Sequence, residues 1–136
     1  MADKPIVAEW LRYANMDFAT AKFDFENMHP APLEIICYHC QQAAEKFLKA
    51  IIIDYNKEAE KTHDLQRLTD KLKSFVNVPN EIMVIAARLT QYAVHTRYPD
   101  EMSVDENQTK NAISQAEQVK IWAEKIIADK SKDDNT

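Results

Sequence analysis

Glycine is absent from this 136-residue chain, and cysteine occurs only twice. Phosphate-cradling loops and dinucleotide-binding fingerprints are built on glycine, because the backbone must approach the ligand closely and take positive φ, so both motif classes are excluded. All-β folds, whose tight hairpins use the same freedom, are disfavoured. Long apolar runs are missing too. No stretch reaches bilayer-spanning length, and the N-terminal MADKPIVAEW lacks the extended apolar core of a secretory leader. The expectation is a cytoplasmic protein with no membrane association. Basic charge is scarce, the formal net charge being −5. Non-specific nucleic-acid binding rests on neutralising phosphates with a surplus of Lys and Arg. Any RNA or nucleotide site must therefore be local.

The two cysteines, Cys37 and Cys40, fall three apart within a strong helical pattern, which puts them on one helix face. A redox pair would be expected at a loop–helix junction beside a βαβ unit, and none is visible. Zinc would need two further ligands, and His39 between the cysteines points to another face. They read as reduced, buried, small hydrophobes. Asp64, Asp70 and Asp100 are scattered over separate segments, whereas a hard cation needs convergent oxygens. Neither a metal nor a cofactor is expected.

What the chain has in abundance is helical periodicity. A first helix is expected from about Ile6 to Asn27, with Trp10, Ala14, Phe18, Ala21 and Phe25 on one face. The segment Met28 to Pro32 ends it with two prolines. A second runs from Leu33 to about Tyr55 on a core stripe that includes Ile36, Cys37, Cys40, Ala44, Phe47, Leu48 and Ile51. A third starts with Thr62 as N-cap and Asp64 in its first turn. A fourth begins at Pro79 and Asn80 and should stop before Pro99. A fifth opens on a capping box of Ser103 and Glu106. Residues 1–129 form one domain, and 130–136, without an apolar anchor, read as a frayed tail. The fold class is all-α, an antiparallel up-down bundle of four to five helices. The first two helices hold more large apolar residues than a minimal bundle consumes, which points to a dimer burying part of helix one or four.

The second helix also carries a polar row. Tyr38, Gln42, Glu45 and Lys49 are spaced by four, three and four, and His39, Gln42 and Lys46 form an adjoining row. Glu45 precedes Lys49 by four, the favoured order for a helix ion pair. By itself the row reads as a solvated face. The alternative is a hydrogen-bonded network at a helix or subunit contact, or the wall of a ligand site using Gln42 and Lys49.

The run YHCQQAAEKFLKAIII (Tyr38 to Ile53), followed by THDL (Thr62 to Leu65) and TRYPD (Thr96 to Asp100), resembles the signature of prokaryotic HEPN domains, the higher eukaryotes and prokaryotes nucleotide-binding family. The resemblance spans Glu9 to Ile127. It implies a helical bundle, commonly a homodimer, in stand-alone prokaryotic proteins. It also implies two function classes. Some members resemble metal-independent endoribonucleases, often toxins paired with a nucleotidyltransferase antitoxin. Others bind nucleotides or serve as non-catalytic partners.

The family's ribonucleases use an arginine followed at four to six residues by a histidine. Arg88 and His95, with six residues between them, fit at the upper limit of that spacing. A separation of seven would set both on one face of a continuous helix, with Gln91 between them. Arg88 would hold a phosphate and stabilise its developing charge, and His95 would serve as general acid or base. Leu89 follows Arg88 where the best-matched motif has a polar residue. Arg97, in RYP, is the competing functional arginine, and Tyr98 is a candidate for stacking on a base. Whether the chain is an enzyme stays open at this point. His63 reads as a structural residue of the third helix.

Overall fold

A computed structural model describes residues 4–93 and 103–134, and all structural statements refer to these. They form five α-helices with no strand among them: α1 (Lys4–Asn27), α2 (Leu33–Asp54), α3 (Leu65–Leu72), α4 (Asn80–Leu89) and α5 (Glu106–Asp134). The short Met28–Pro32 connection turns α2 back antiparallel to α1, and α2 then packs against every other helix. The architecture is the up-down bundle that the periodicity implies.

The helix α2 is central because it is apolar almost all round. From Ala43 to Ile52 every residue except Lys46 is buried. Phe47, Leu48, Ile51 and Ile52 meet Leu65, Leu68 and Leu72 of α3, Leu89 of α4, and Ala112, Ala116, Val119 and Ala123 of α5 in one core. The small residues on α5 allow its close approach to α2. Burying a Leu, Ile or Phe side chain contributes roughly 1.5–3 kcal/mol, so this cluster dominates stability.

Without glycine, the end of α2 needs another residue at positive φ. Asn56 takes it, at φ 60°. The Asn56 N–H donates to the Ile53 carbonyl at 2.9 Å, and the Lys57 N–H donates to the Ile52 carbonyl at 3.1 Å. These are the two bonds of a Schellman ending. Asparagine tolerates the left-handed region better than other residues with a Cβ.

Three boundaries differ from the sequence reading. The N-cap of α3 is Asp64, whose Oδ1 accepts the Gln66 N–H at 2.9 Å, while Thr62 Oγ1 accepts the Asp64 N–H at 3.1 Å. The capping box of α5 is Asp105 and Gln108: Asp105 Oδ1 accepts the Gln108 N–H at 2.7 Å, and Gln108 Oε1 accepts the Asp105 N–H at 2.9 Å. A carboxylate outcompetes the Ser103 hydroxyl there because it also complements the helix dipole. Finally, α4 ends at Leu89 and tightens into a 3₁₀ turn, Thr90–Tyr92. Thr90 Oγ1 accepts the Leu65 N–H at 2.9 Å, and Gln91 Nε2 donates to the Arg88 carbonyl at 2.9 Å. Such side-chain bonds to backbone compete with helix continuation. At the other end of the chain, α5 runs past Lys130 to Asp134. Lys130 Nζ bonds Asp134 at 3.0 Å and lies 5.2 Å from the centre of the Tyr55 ring.

Candidate functional site

The polar row on α2 is not a solvated face. Glu45 and Lys49 are buried, at 5% and 7% exposure, and Gln41 is fully buried beside them. The reason is topological: the connection carrying His63 and the α1 residue Trp10 both lie over this side of α2. Glu45 Oε2 accepts from Lys49 Nζ at 3.0 Å. Its other oxygen accepts from His63 Nδ1 at 2.9 Å and from Gln41 Nε2 at 3.3 Å. Gln41 Nε2 also donates to the His63 carbonyl at 2.9 Å, and Gln42 Nε2 donates to Gln41 Oε1 at 2.7 Å. The Lys49 ammonium stands 5.9 Å from the Trp10 ring centroid.

An ionised Glu45 only accepts, so His63 must carry its proton on Nδ1. That leaves Nε2 as the outward nitrogen of a side chain 69% exposed. A histidine oriented by a buried carboxylate is a recurring arrangement for proton transfer, and it is also a means of closing a corner. Charge on Glu45 is balanced by Lys49, and its lone pairs are filled, which is what a buried carboxylate requires.

A second cluster joins α1 to α2. Asp17 accepts from His39 Nδ1 at 3.2 Å and from Lys46 Nζ. Burial alone would raise the Asp17 carboxyl, but the hydrogen bonds from His39 and Lys46 outweigh it and hold the group below the usual carboxylate range. The Tyr38 and His39 rings meet edge to face, 5.9 Å apart.

Both cysteines are free and fully buried. Burial pushes both thiols up, and the Cys37 thiol donates to Thr109 Oγ1 at 3.5 Å. Tyr92, half-buried beside Cys37, is likewise pushed up by burial, to about 12. It belongs to the core edge rather than to an open stacking platform. Among the described residues no three His, Cys, Asp or Glu side chains converge as a metal would require.

Of the residues singled out in the sequence, Lys49 and Gln42 are drawn into the α2 network. Arg88 is exposed on the last turn of α4. His95, Arg97 and Tyr98 lie outside the described residues. Because the α-helix stops at Leu89, a spacing of seven no longer implies that Arg88 and His95 share a helix face. Sequence reasoning missed Gln41 and Asp17 as network members and treated His63 as separate from Glu45. The sequence signal for the last was THDL following the α2 run.

An all-helical bundle whose second helix holds a buried polar network, clasped by the histidine of a THDL turn, defines the class of fold. A family model of the HEPN domain matches residues 7–126, and the chain belongs to that family. Solved structures agree on the fold. The protein TT1696 of Thermus thermophilus superposes with a TM-score of 0.76 at 23% identity, covering 88% of this chain and 96% of its own. An archaeal HEPN homologue, ST0689, gives 0.70 at 23%, covering 89% and 97%. A HEPN domain protein of Thermotoga maritima gives 0.73 at 21%, covering 88% and 98%. No curated protein matches the sequence significantly. Among the described residues no helix is long and apolar enough to cross a membrane.

Proposed function

We propose that this HEPN protein works on RNA or nucleotides in the cytoplasm, with Arg88 as the phosphate contact. One observation carries the reading. Among the described arginines, Arg12 is engaged by Glu9 and Arg67 by Glu60, whereas Arg88 is exposed with no ion pair to a described residue. The cations of the α2 row are also committed, Lys46 to Asp17 and Lys49 to Glu45. An uncommitted guanidinium offers a planar fork for phosphate without first breaking a pair. In the catalytic form of this reading, His95 takes the proton of a ribose 2′-hydroxyl, that oxygen attacks the adjacent phosphorus, and the P–O5′ bond breaks, leaving a 2′,3′-cyclic phosphate while the departing 5′-oxygen takes a proton from solvent; Arg88 stabilises the charge developing on the phosphate oxygens. No metal enters this step. Arg97 and Tyr98 are the further ligand-binding candidates. Purified protein should cleave RNA in the presence of chelator, and Arg88→Ala and His95→Ala should each lose at least ~100-fold. Equal cleavage by all three proteins overturns the catalytic reading.

The second reading is a non-catalytic interaction module that forms a helical homodimer and engages a separately encoded nucleotidyltransferase. Apolar side chains exposed on α1 favour it. A neighbouring gene for a minimal nucleotidyltransferase, and co-purification of its product, would support this arrangement. Nucleotide binding without cleavage should appear as a thermal shift, since ligand at a hundred times Kd adds ~2.7 kcal/mol.

A further inference from the structure

The helix α1 presents Ile6, Glu9, Trp10 and Tyr13 at spacings of three, one and three, one ridge of its surface. The ridge runs along the seam with α2, where Pro5 and Lys46 complete an open groove of about 500 Å³. That volume falls among small-ligand clefts, which span ~300–1,000 Å³. The walls are almost wholly apolar, and two of them are aromatic. The side chains that set its chemistry are held by partners. Lys49 stands 5.9 Å from the Trp10 ring centroid, and the Arg12 guanidinium lies 4.6 Å from that of Tyr13. Lys46 Nζ is bonded to Asp17. Arg12 Nε donates to Glu9 Oε2 at 2.6 Å, and that bond holds the Glu9 carboxyl below the usual carboxylate range. Groups fixed in advance lose little freedom when a ligand arrives. What the groove offers is therefore narrow. Its lining cation is committed, so it does not draw a phosphate. Glu9 is exposed and ionised, and Arg12 uses at most one lone pair of each of its oxygens. Aromatic faces and a carboxylate acceptor remain.

We propose that this groove binds a guanine base, stacked against Trp10 and Tyr13 with its N1–H and N2–H donating to Glu9, and that it does so without contacting phosphate. Guanine is the base whose Watson–Crick edge presents two adjacent donors, which one carboxylate accepts with both oxygens. Adenine presents an acceptor at N1. Uracil has a single N–H flanked by carbonyl oxygens, which a carboxylate repels. Stacking on aromatic side chains serves any base, so the choice among them falls to Glu9. A phosphate group would add its charge to that of Glu9 and find no uncommitted cation on the groove wall.

This inference rests on the RNA or nucleotide reading and adds the base recognised and its place. Arg88 sits on α4 rather than on this seam, so the two contacts can fail independently. Trp122→Phe leaves Trp10 as the sole tryptophan, and guanosine titrated into that chain should quench its fluorescence. GMP should bind within about twofold of guanosine, and added salt should change neither by more, because no phosphate is neutralised. Tyr13→Ala and Glu9→Gln, both at exposed positions, should each weaken guanosine at least ~tenfold with helicity unchanged by circular dichroism. Inosine, which lacks the N2 amino group, should bind at least ~fivefold more weakly than guanosine, and Glu9→Gln should narrow that gap. No quenching, or equal affinity in both variants, would overturn the site and leave the Arg88 reading to its own test, RNA cleavage by Arg88→Ala. GMP binding tenfold tighter than guanosine would overturn a site without phosphate contact. Equal affinity for adenosine would overturn the role of Glu9. Trp10 emission that shifts with protein concentration alone would mean that a second copy covers the groove, and would overturn the site as well.

Discussion

At the scale of single residues, the balance to explain is why Glu45 and Lys49 are buried at all. An exposed pair of this kind contributes only a few tenths of a kcal/mol, whereas a buried pair is neutral to unfavourable against an apolar replacement but costly to break by halves. Glu45→Ala leaves the Lys49 ammonium and the His63 donor without their acceptor, so it should lower unfolding free energy by about 3–5 kcal/mol in urea titrations. The double substitution Glu45→Leu with Lys49→Met should recover about half of that loss or more. A smaller loss for Glu45→Ala than for a neighbouring exposed glutamate would show that the network is not closed. The sequence made the pair legible, since a Glu four residues before a Lys announces it. Its burial was not legible, because what covers Glu45 comes from His63 and Trp10, remote in the chain.

Among the elements, periodicity read the helices well and their ends less well. The bodies of α1, α2 and α5 followed from apolar spacing because their faces meet a core. The ends depend on which of several nearby oxygens wins a backbone N–H, a competition of about 1 kcal/mol decided by local geometry. At α5, Ser103 and Asp105 both offered an acceptor, and Asp105 holds the bond. Asp105→Ala should therefore cost about 1 kcal/mol, seen as a shift in thermal midpoint, and Ser103→Ala should stay within ~0.5 kcal/mol. The reverse order would place the cap at Ser103 after all. For α4 the same limit touched the candidate site. The 3₁₀ turn at Thr90 is set by a bond to Leu65 of another helix, which no local pattern encodes. That Arg88 lies on α4 was legible. Its relation to His95 was not, because the helix that was to connect them ends first.

For the whole molecule, the two thiols and Tyr92 give stability a dependence on alkaline pH. Their folded pKa values are raised by burial, so the neutral forms are favoured in the folded state. Their stabilising contribution is complete below the unfolded thiol value, about 8.5. It declines as pH rises above that, because the unfolded chain ionises first. Urea midpoints in reductant should fall from pH 8 to pH 10, and the Cys37→Ala, Cys40→Ala double variant should show a shallower fall. An equal slope in both proteins would remove the thiols from the explanation.

The clasp at His63 has a consequence for how the molecule opens. One residue is gripped twice from α2, its ring by Glu45 and its carbonyl by Gln41, one helical turn apart. Leu65, two residues further on, is tied to Thr90 beyond α4. The ten-residue connection between α2 and α3 is thus fastened at its far end, not merely strung between helices. The α3–α4 corner, with Arg88 at its edge, is held in register with the polar core of α2. The amides of α3 and α4 should therefore exchange with solvent as one cooperative unit, at one shared opening free energy that Glu45→Ala lowers, whereas a hinge-like motion would leave each helix with its own.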